Sequence, residues 1–215
     1  MRYEVGKVFR DGPIKAGRFR EFTQCDVDIV GVKLQIAEAE LMMMALDVFR
    51  KLGLKVMIQY NNRKLLTGML EVFNTEEDKI NKVVLILDKL EKVGLEAVTS
   101  ELTEQGLPAF TVQSIKKFLN NKNNKSYSYF EPFAKQNKQV EQGLEELKEL
   151  DTYLAFLGVN GKCVFNPFLA RGLEIYTGTI YEVFLTDKTI KSSIAVVVDT
   201  TMRLVDSLVQ MRNFL

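Results

Sequence analysis

Four basic residues, Arg10, Lys15, Arg18 and Arg20, fall within one short stretch of this chain. Guanidinium groups fork onto phosphate oxygens, so arginines on a hairpin suit a polyphosphate. Just beyond them, Phe22 offers a ring on which a base can stack. Gln24 and Asp28 offer an amide and a carboxylate for the ammonium and polar atoms of a small cationic ligand. The same residues equally suit an edge hairpin with exposed charges. Other chemistries lose support. The sequence has no GxxxxGK[ST], GxGxxG or GxSxG run. It has no histidine, which excludes His-based triads, His-ligated metals and an imidazole base within this chain. Its two cysteines, Cys25 and Cys163, have no zinc spacing and make no disulfide framework.

The basic stretch needs elements to position it. Residues 1–10 are rich in Tyr, Val and Phe. Gly12, Pro13 and Gly17 break the chain, and residues 18–30 then alternate. Period two places Arg18, Arg20, Phe22, Gln24, Asp26 and Asp28 on one face of a strand, basic at one end and acidic at the other. Residues 37–52 read as an amphipathic helix closed by Gly53, with Met42, Met43 and Met44 as core filling. Residues 55–60 read as a strand, followed by Asn61-Asn62-Arg63-Lys64 and a short helix. From Asn74 to about Gly158 the pattern is helical and highly charged. Thr75 with Asp78 suggests a capping box before a helix over 76–92, and the apolar spacing predicts a long helix over 137–157. Strand character returns at 162–186. Two β-rich segments bracketing a helical insertion give an α+β fold, with both segments expected in one antiparallel sheet.

Composition sets the outer bounds. The chain has 215 residues, 47% hydrophobic and 27% charged, with 29 basic against 28 acidic residues, so a packed core is expected and a global polycation is excluded. No apolar run is long enough to span a membrane and the N-terminus does not read as a signal peptide, so a reducing cytoplasm is expected.

Two stretches carry a family resemblance. The run from Phe9 to Asp28 (FRDGPIKAGRFREFTQCDVD) resembles motif 2 of class II aminoacyl-tRNA synthetases in its histidyl-tRNA synthetase form. The run from Arg171 to Gly178 (RGLEIYTG) resembles that family's histidine-binding signature, usually RGLDYYTG. They occur in the right order around an insertion of the right kind, and the likeness extends from residue 1 to about 194. The resemblance implies a partial class II antiparallel sheet with flanking helices. It divides the chain into a partial catalytic core with motif 2 (1–73), a helical insertion (74–158) and a catalytic segment with the signature (159–194). It implies a ligase that activates L-histidine with ATP and transfers it to tRNA(His), working in the family as a homodimer. Mg²⁺ would arrive carried by ATP, with no protein-bound metal. By the same resemblance, Arg10 and Arg171 are the catalytic arginines at the α-phosphate. Arg10, Arg18 and Phe22 bind ATP, with Phe22 stacking on adenine. Gln24, Asp28, Arg171 and Tyr176 form the histidine pocket.

The likeness has departures. Gly12 stands where the family has an acidic or bulkier residue, Glu174 where it has Asp, and Ile175 where it has Tyr, which removes a phenol from the pocket wall. The family's motif 1, its acid for the histidine amino group, motif 3 and the anticodon-binding domain have no counterpart here. Each lost charge-assisted contact costs roughly 1.5–3 kcal/mol, so two such losses imply affinity weakened about 10²–10⁴-fold. After Ser192-Ser193-Ile194 the family continues with a GSGGRYD-like segment, whereas this chain has AVVVDTTM. Encoded as GCA GTG GTG GTC GAT ACG ACA ATG and read from a preceding G, those codons give Gly-Ser-Gly-Gly-Arg-Tyr-Asp-Asn. Residues 195–215 therefore read as a frameshifted tail. Two further readings follow from the resemblance: a non-catalytic regulatory subunit similar to that of ATP phosphoribosyltransferase, and an inert product of a disrupted gene. The near-intact Arg171–Gly178 signature favours the ligase over the regulatory subunit.

Overall fold

The computed structural model describes residues 1–12, 14, 19–32, 34–170, 177–187, 189–190 and 193–198. The first two strands, β1 (Arg2–Phe9) and β2 (Glu21–Asp28), form an antiparallel hairpin whose register pairs Phe9 with Glu21, Val8 with Phe22 and Arg2 with Asp28. The ladder continues one step, with the Arg10 N–H donating to the Arg20 carbonyl at 2.8 Å. Helix α1 (Ile36–Lys51) follows, close to its expected span, and buries Ala39, Leu41, Met42 and Leu46. Of the methionine run, Met42 is fully enclosed, as core filling requires.

The remaining strands are β3 (Val56–Asn62), β4 (Cys163–Phe165), β5 (Thr179–Leu185) and β6 (Ala195–Val198), in spatial order β4-β3-β5-β6. The α+β class holds, but the expected single antiparallel sheet does not. The β1–β2 hairpin is a sheet of its own, and β4 runs parallel to β3. The reason lies in hydrogen-bond occupancy. Both edges of β3 are taken by β4 and β5, and the outer edge of β5 is taken by β6, so neither strand offers an edge to the hairpin. A parallel pair needs a long crossover, and the helices between β3 and β4 supply it.

Those helices are α2 (Arg63–Val72), α3 (Glu77–Leu87), α4 (Leu90–Val93), α5 (Leu95–Glu104), α6 (Ala109–Asn120), α7 (Glu131–Ala134) and α8 (Lys138–Phe156). The helix expected over 76–92 is two helices, α3 and α4. The expected capping box does not form: no side chain caps α3, and the Thr75 hydroxyl is buried with no partner among the described residues. Gly94, at φ 82°, separates α4 from α5 in a conformation that a side chain disfavours. The long helix α8 does have a cap, with the Asn137 side chain accepting from the Gln139 and Val140 amides.

Helix α8 lies along α2, and small residues set their separation. A Cβ on Gly68 would meet Val140 at 2.7 Å, and one on Gly143 would press on the Leu65 backbone. Polar ties flank the crossing. Glu71 accepts from Asn137 and Gln139, and Glu146 accepts from Asn62 and Lys64. One continuous core joins α1, α2, the helices to α8 and the second sheet, through Met42, Ile58, Leu66, Val83, Ile115, Leu147 and Tyr181.

Tyr181 in β5 is a cost within that core. Its ring is fully enclosed and its hydroxyl has no hydrogen-bond partner among the described residues. Burial pushes its pKa up, and the nearby Glu38 carboxylate adds to the shift. Removing a buried, unpaired hydroxyl relieves a desolvation penalty. Tyr181→Phe is expected to stabilise the chain by about 1 kcal/mol, read as a higher urea midpoint at unchanged slope.

Candidate functional site

The hairpin brings three of the sequence-derived site residues together. The Arg10 guanidinium lies 4.9 Å above the centre of the Phe22 ring. It also donates to the Gln24 side-chain oxygen at 2.7 Å. Cross-strand pairing makes this contact: Phe22 and Gln24 are two apart on β2, and Arg10 follows the end of β1 on the ladder that pairs Val8 with Phe22. The Gln24 amide nitrogen in turn donates to Asp26 at 2.8 Å and 2.9 Å. The face therefore carries a cation against an aromatic ring, then an amide, then a carboxylate.

Asp28 sits at the other end and does not join that group. Arg2 takes its carboxylate at 3.1 Å, a pair that is largely open to solvent and of the kind worth little. Arg20 donates to the Gly12 carbonyl at 3.2 Å near the turn. Lys15, Arg18, Arg171 and Tyr176 lie outside the described residues. Among the described residues, no group of three or more Cys, Asp or Glu gathers as a metal site. No described helix is long and apolar enough to cross a membrane.

What holds the signature segment is visible on both flanks. Upstream, the Asn61 amide donates to the Pro167 and Leu169 carbonyls at 3.0 Å and 2.9 Å. Downstream, the Arg63 N–H donates to the Gly178 carbonyl at 2.8 Å, and the Thr179 hydroxyl donates to Gln35 at 2.8 Å. By sequence Asn61 and Asn62 read only as a connector to the next helix; two adjacent amides at the end of a strand are the signal that marks them.

A second polar cluster lies where α8 meets β3 and β4. Tyr60 donates to Asp151, and the Tyr127 hydroxyl stands 3.3 Å from that of Tyr60. Asp151, Asn160 and Cys163 line a pocket of about 400 Å³ beside them. Burial pushes the Cys163 thiol up to about 12, with Asp151 adding to the shift. At pH 8 its thiolate is scarce, whereas Cys25 is exposed on β2. Iodoacetamide on the native chain is expected to label Cys25 first and spare Cys163, as read by peptide mass spectrometry.

An antiparallel hairpin thus carries an arginine, an aromatic ring and an amide on one face beside an α+β core. The family model described as histidyl-tRNA synthetase matches residues 3–195. Histidine--tRNA ligase 2 of Shouchella clausii is 53% identical over 193 residues, which are 90% of this chain and 45% of that protein. Histidine--tRNA ligase of Phocaeicola vulgatus is 37% identical over 89% of this chain and 42% of its own length. Among solved structures, histidyl-tRNA synthetase from Nostoc sp. PCC 7120 superposes with a TM-score of 0.80 at 30% identity, covering 91% of this chain and 46% of that one. An ATP phosphoribosyltransferase regulatory subunit/histidyl-tRNA synthetase from Bacillus halodurans C shares the fold, with a TM-score of 0.67 at 16% identity over 86% of this chain and 48% of that one. This chain belongs to the histidyl-tRNA synthetase family. It spans a little under half the length of these relatives.

Proposed function

We propose that this chain carries the amino-acid-activating side of a histidine--tRNA ligase, which converts histidine and ATP to histidyl-adenylate and pyrophosphate and passes the histidine to tRNA(His). The observation that carries the reading is the convergence of Arg10, Phe22 and Gln24 on one hairpin face. In activation, a histidine carboxylate oxygen bonds to the α-phosphorus and pyrophosphate leaves. Negative charges crowd together along that path, so fixed guanidinium groups lower the barrier electrostatically. In this reading Arg10 does so by trading its bond to Gln24 for the carboxylate and α-phosphate oxygens. Phe22 then stacks on adenine instead of the guanidinium. The released Gln24, with Asp28, holds the imidazole and amino group, while Arg171 and Tyr176 close the site from the signature and Arg18 adds an ATP contact. Mg²⁺ enters on the ATP phosphates as part of the substrate. The division at 1–73, 74–158 and 159–194, the cytoplasmic location and the homodimer belong to the same proposal.

Residues 195–215 we read as a frameshifted tail. The family model ends at 195, where the alternative frame begins to spell the family's glycine-rich segment, and this supports the reading. It also favours a disrupted gene as a second account of the chain. Flanking DNA that encodes motif 1 upstream and motif 3 downstream, in other frames, would support disruption; DNA without the shifted codons would sink it. The functional test is histidine-dependent ATP–pyrophosphate exchange by the purified 215-residue chain, run beside the Shouchella clausii ligase. Exchange that depends on added histidine is the expected result. Exchange that ignores histidine would count against the reading.

A further inference from the structure

Strand β3 ends on two polar residues, Asn61 and Asn62, both fully buried. Asparagine is a poor strand former, and burying an amide is costly unless it is bonded. Asn61 spends both of its amide hydrogens on backbone carbonyls far away in sequence, those of Pro167 and Leu169. Two residues on, the Arg63 N–H holds the Gly178 carbonyl. Between them, Asn61 and Asn62 pair in register with Ile180 and Thr179. Three consecutive residues thus grip the chain on both sides of 170–177. Neighbouring bonds tighten the upstream side: the Asn166 N–H donates to the Tyr60 carbonyl at 2.9 Å and its side chain to Gln59 at 2.7 Å. Asparagine meets the two carbonyls with its two amide hydrogens, at the cost of a buried Oδ1 that has no partner among the described residues. Aspartate would set an oxygen against two carbonyl oxygens, serine has one donor, and glutamine is a methylene too long for an enclosed site.

We propose that Asn61 is a positioning residue: with the Arg63 amide it fixes the spacing between Leu169 and Gly178, the anchors on either side of the Arg171–Gly178 signature. This rests on the reading of that signature as part of the histidine site.

The test is limited trypsin digestion of the native chain, comparing cleavage after Arg171 with cleavage after the exposed Lys122. Proteolysis tracks local opening when reclosing is fast, so Asn61→Ala should raise the Arg171-to-Lys122 ratio at least about tenfold. Val98→Ala removes a buried side chain from α5, away from the clamp, and serves as the destabilised comparator. It should leave the ratio unchanged. Equal ratios in the two variants would overturn the proposal. Should Asn61→Ala fail to fold, the wild-type chain decides by NMR: the Asn61 side-chain protons should exchange at least about 100-fold more slowly than those of exposed Asn123. Equal exchange would overturn it. In pyrophosphate exchange, Asn61→Ala should lower kcat while leaving KM for ATP within about twofold, because Arg10 and Phe22 lie on the separate hairpin. Absence of histidine-dependent exchange in the wild type, with the cleavage result as expected, would refute the synthetase reading and leave the clamp standing.

Discussion

Gly143→Ala is expected to cost about 3 kcal/mol, a large part of the stability of a chain this size. The added Cβ would lie 2.9 Å and 3.0 Å from the Leu65 Cα and Cβ, and closer still to its backbone nitrogen. Backbone cannot rotate away as a side-chain tip can, so α2 and α8 would have to part. Parting them strains the flanking bonds of Glu71 to Asn137 and of Glu146 to Asn62. Gly161→Ala is the control. Nothing lies within 4 Å of its added Cβ, and it is expected to change stability by under about 0.5 kcal/mol. Urea unfolding followed by far-UV circular dichroism measures both. Equal midpoints for the two variants would mean that the α2–α8 crossing yields more easily than its geometry implies.

The second large effect is at the phosphate. Arg10→Ala and Arg171→Ala are each expected to lower histidine-dependent pyrophosphate exchange by about 10²–10³-fold, the usual loss when one preorganised transition-state donor is removed. The two should differ in binding. Arg10 contacts Gln24 and Phe22, so its loss frees the amide and uncovers the ring, altering both substrate sites. Arg171, by its proposed role, acts on the phosphate that changes charge in the transition state. Its replacement should therefore cost far more in exchange than in histidine affinity. Calorimetric titration with histidine separates the two, and an Arg171 variant that retains exchange would remove it from the chemistry.

Much of this site was legible because it is local. Alternation over 18–30 placed Phe22 and Gln24 on one face, and a breaker-rich turn fixed the hairpin. Placing Arg10 on that face took only the register that the turn imposes. Helices α1 and α8 were equally plain, since their apolar spacing runs over four or more turns. The remainder depends on pairings between distant residues. Nothing near β4, three residues long, reveals that it will run parallel to β3. The separation of the hairpin from the second sheet turns on which strand fills the β5 edge, and that strand is Ala195–Val198. Thr75 has the spacing of a cap, but α3 begins at Glu77 with Glu76 in the cap position, which leaves Thr75 one residue too early. Asn61 acquires meaning only through carbonyls 106 and 108 residues away.

The most direct test of the hairpin as the histidine and ATP face is an NMR titration of the isotopically labelled chain with L-histidine in the presence of ATP. The Gln24 side-chain amide and the backbone amides from Phe22 to Asp28 should shift, with an affinity near 1 mM, about −4 kcal/mol. The same shifts should vanish in Arg10→Ala. Shifts confined to residues outside the hairpin, or none at about ten times that concentration, would contradict the account.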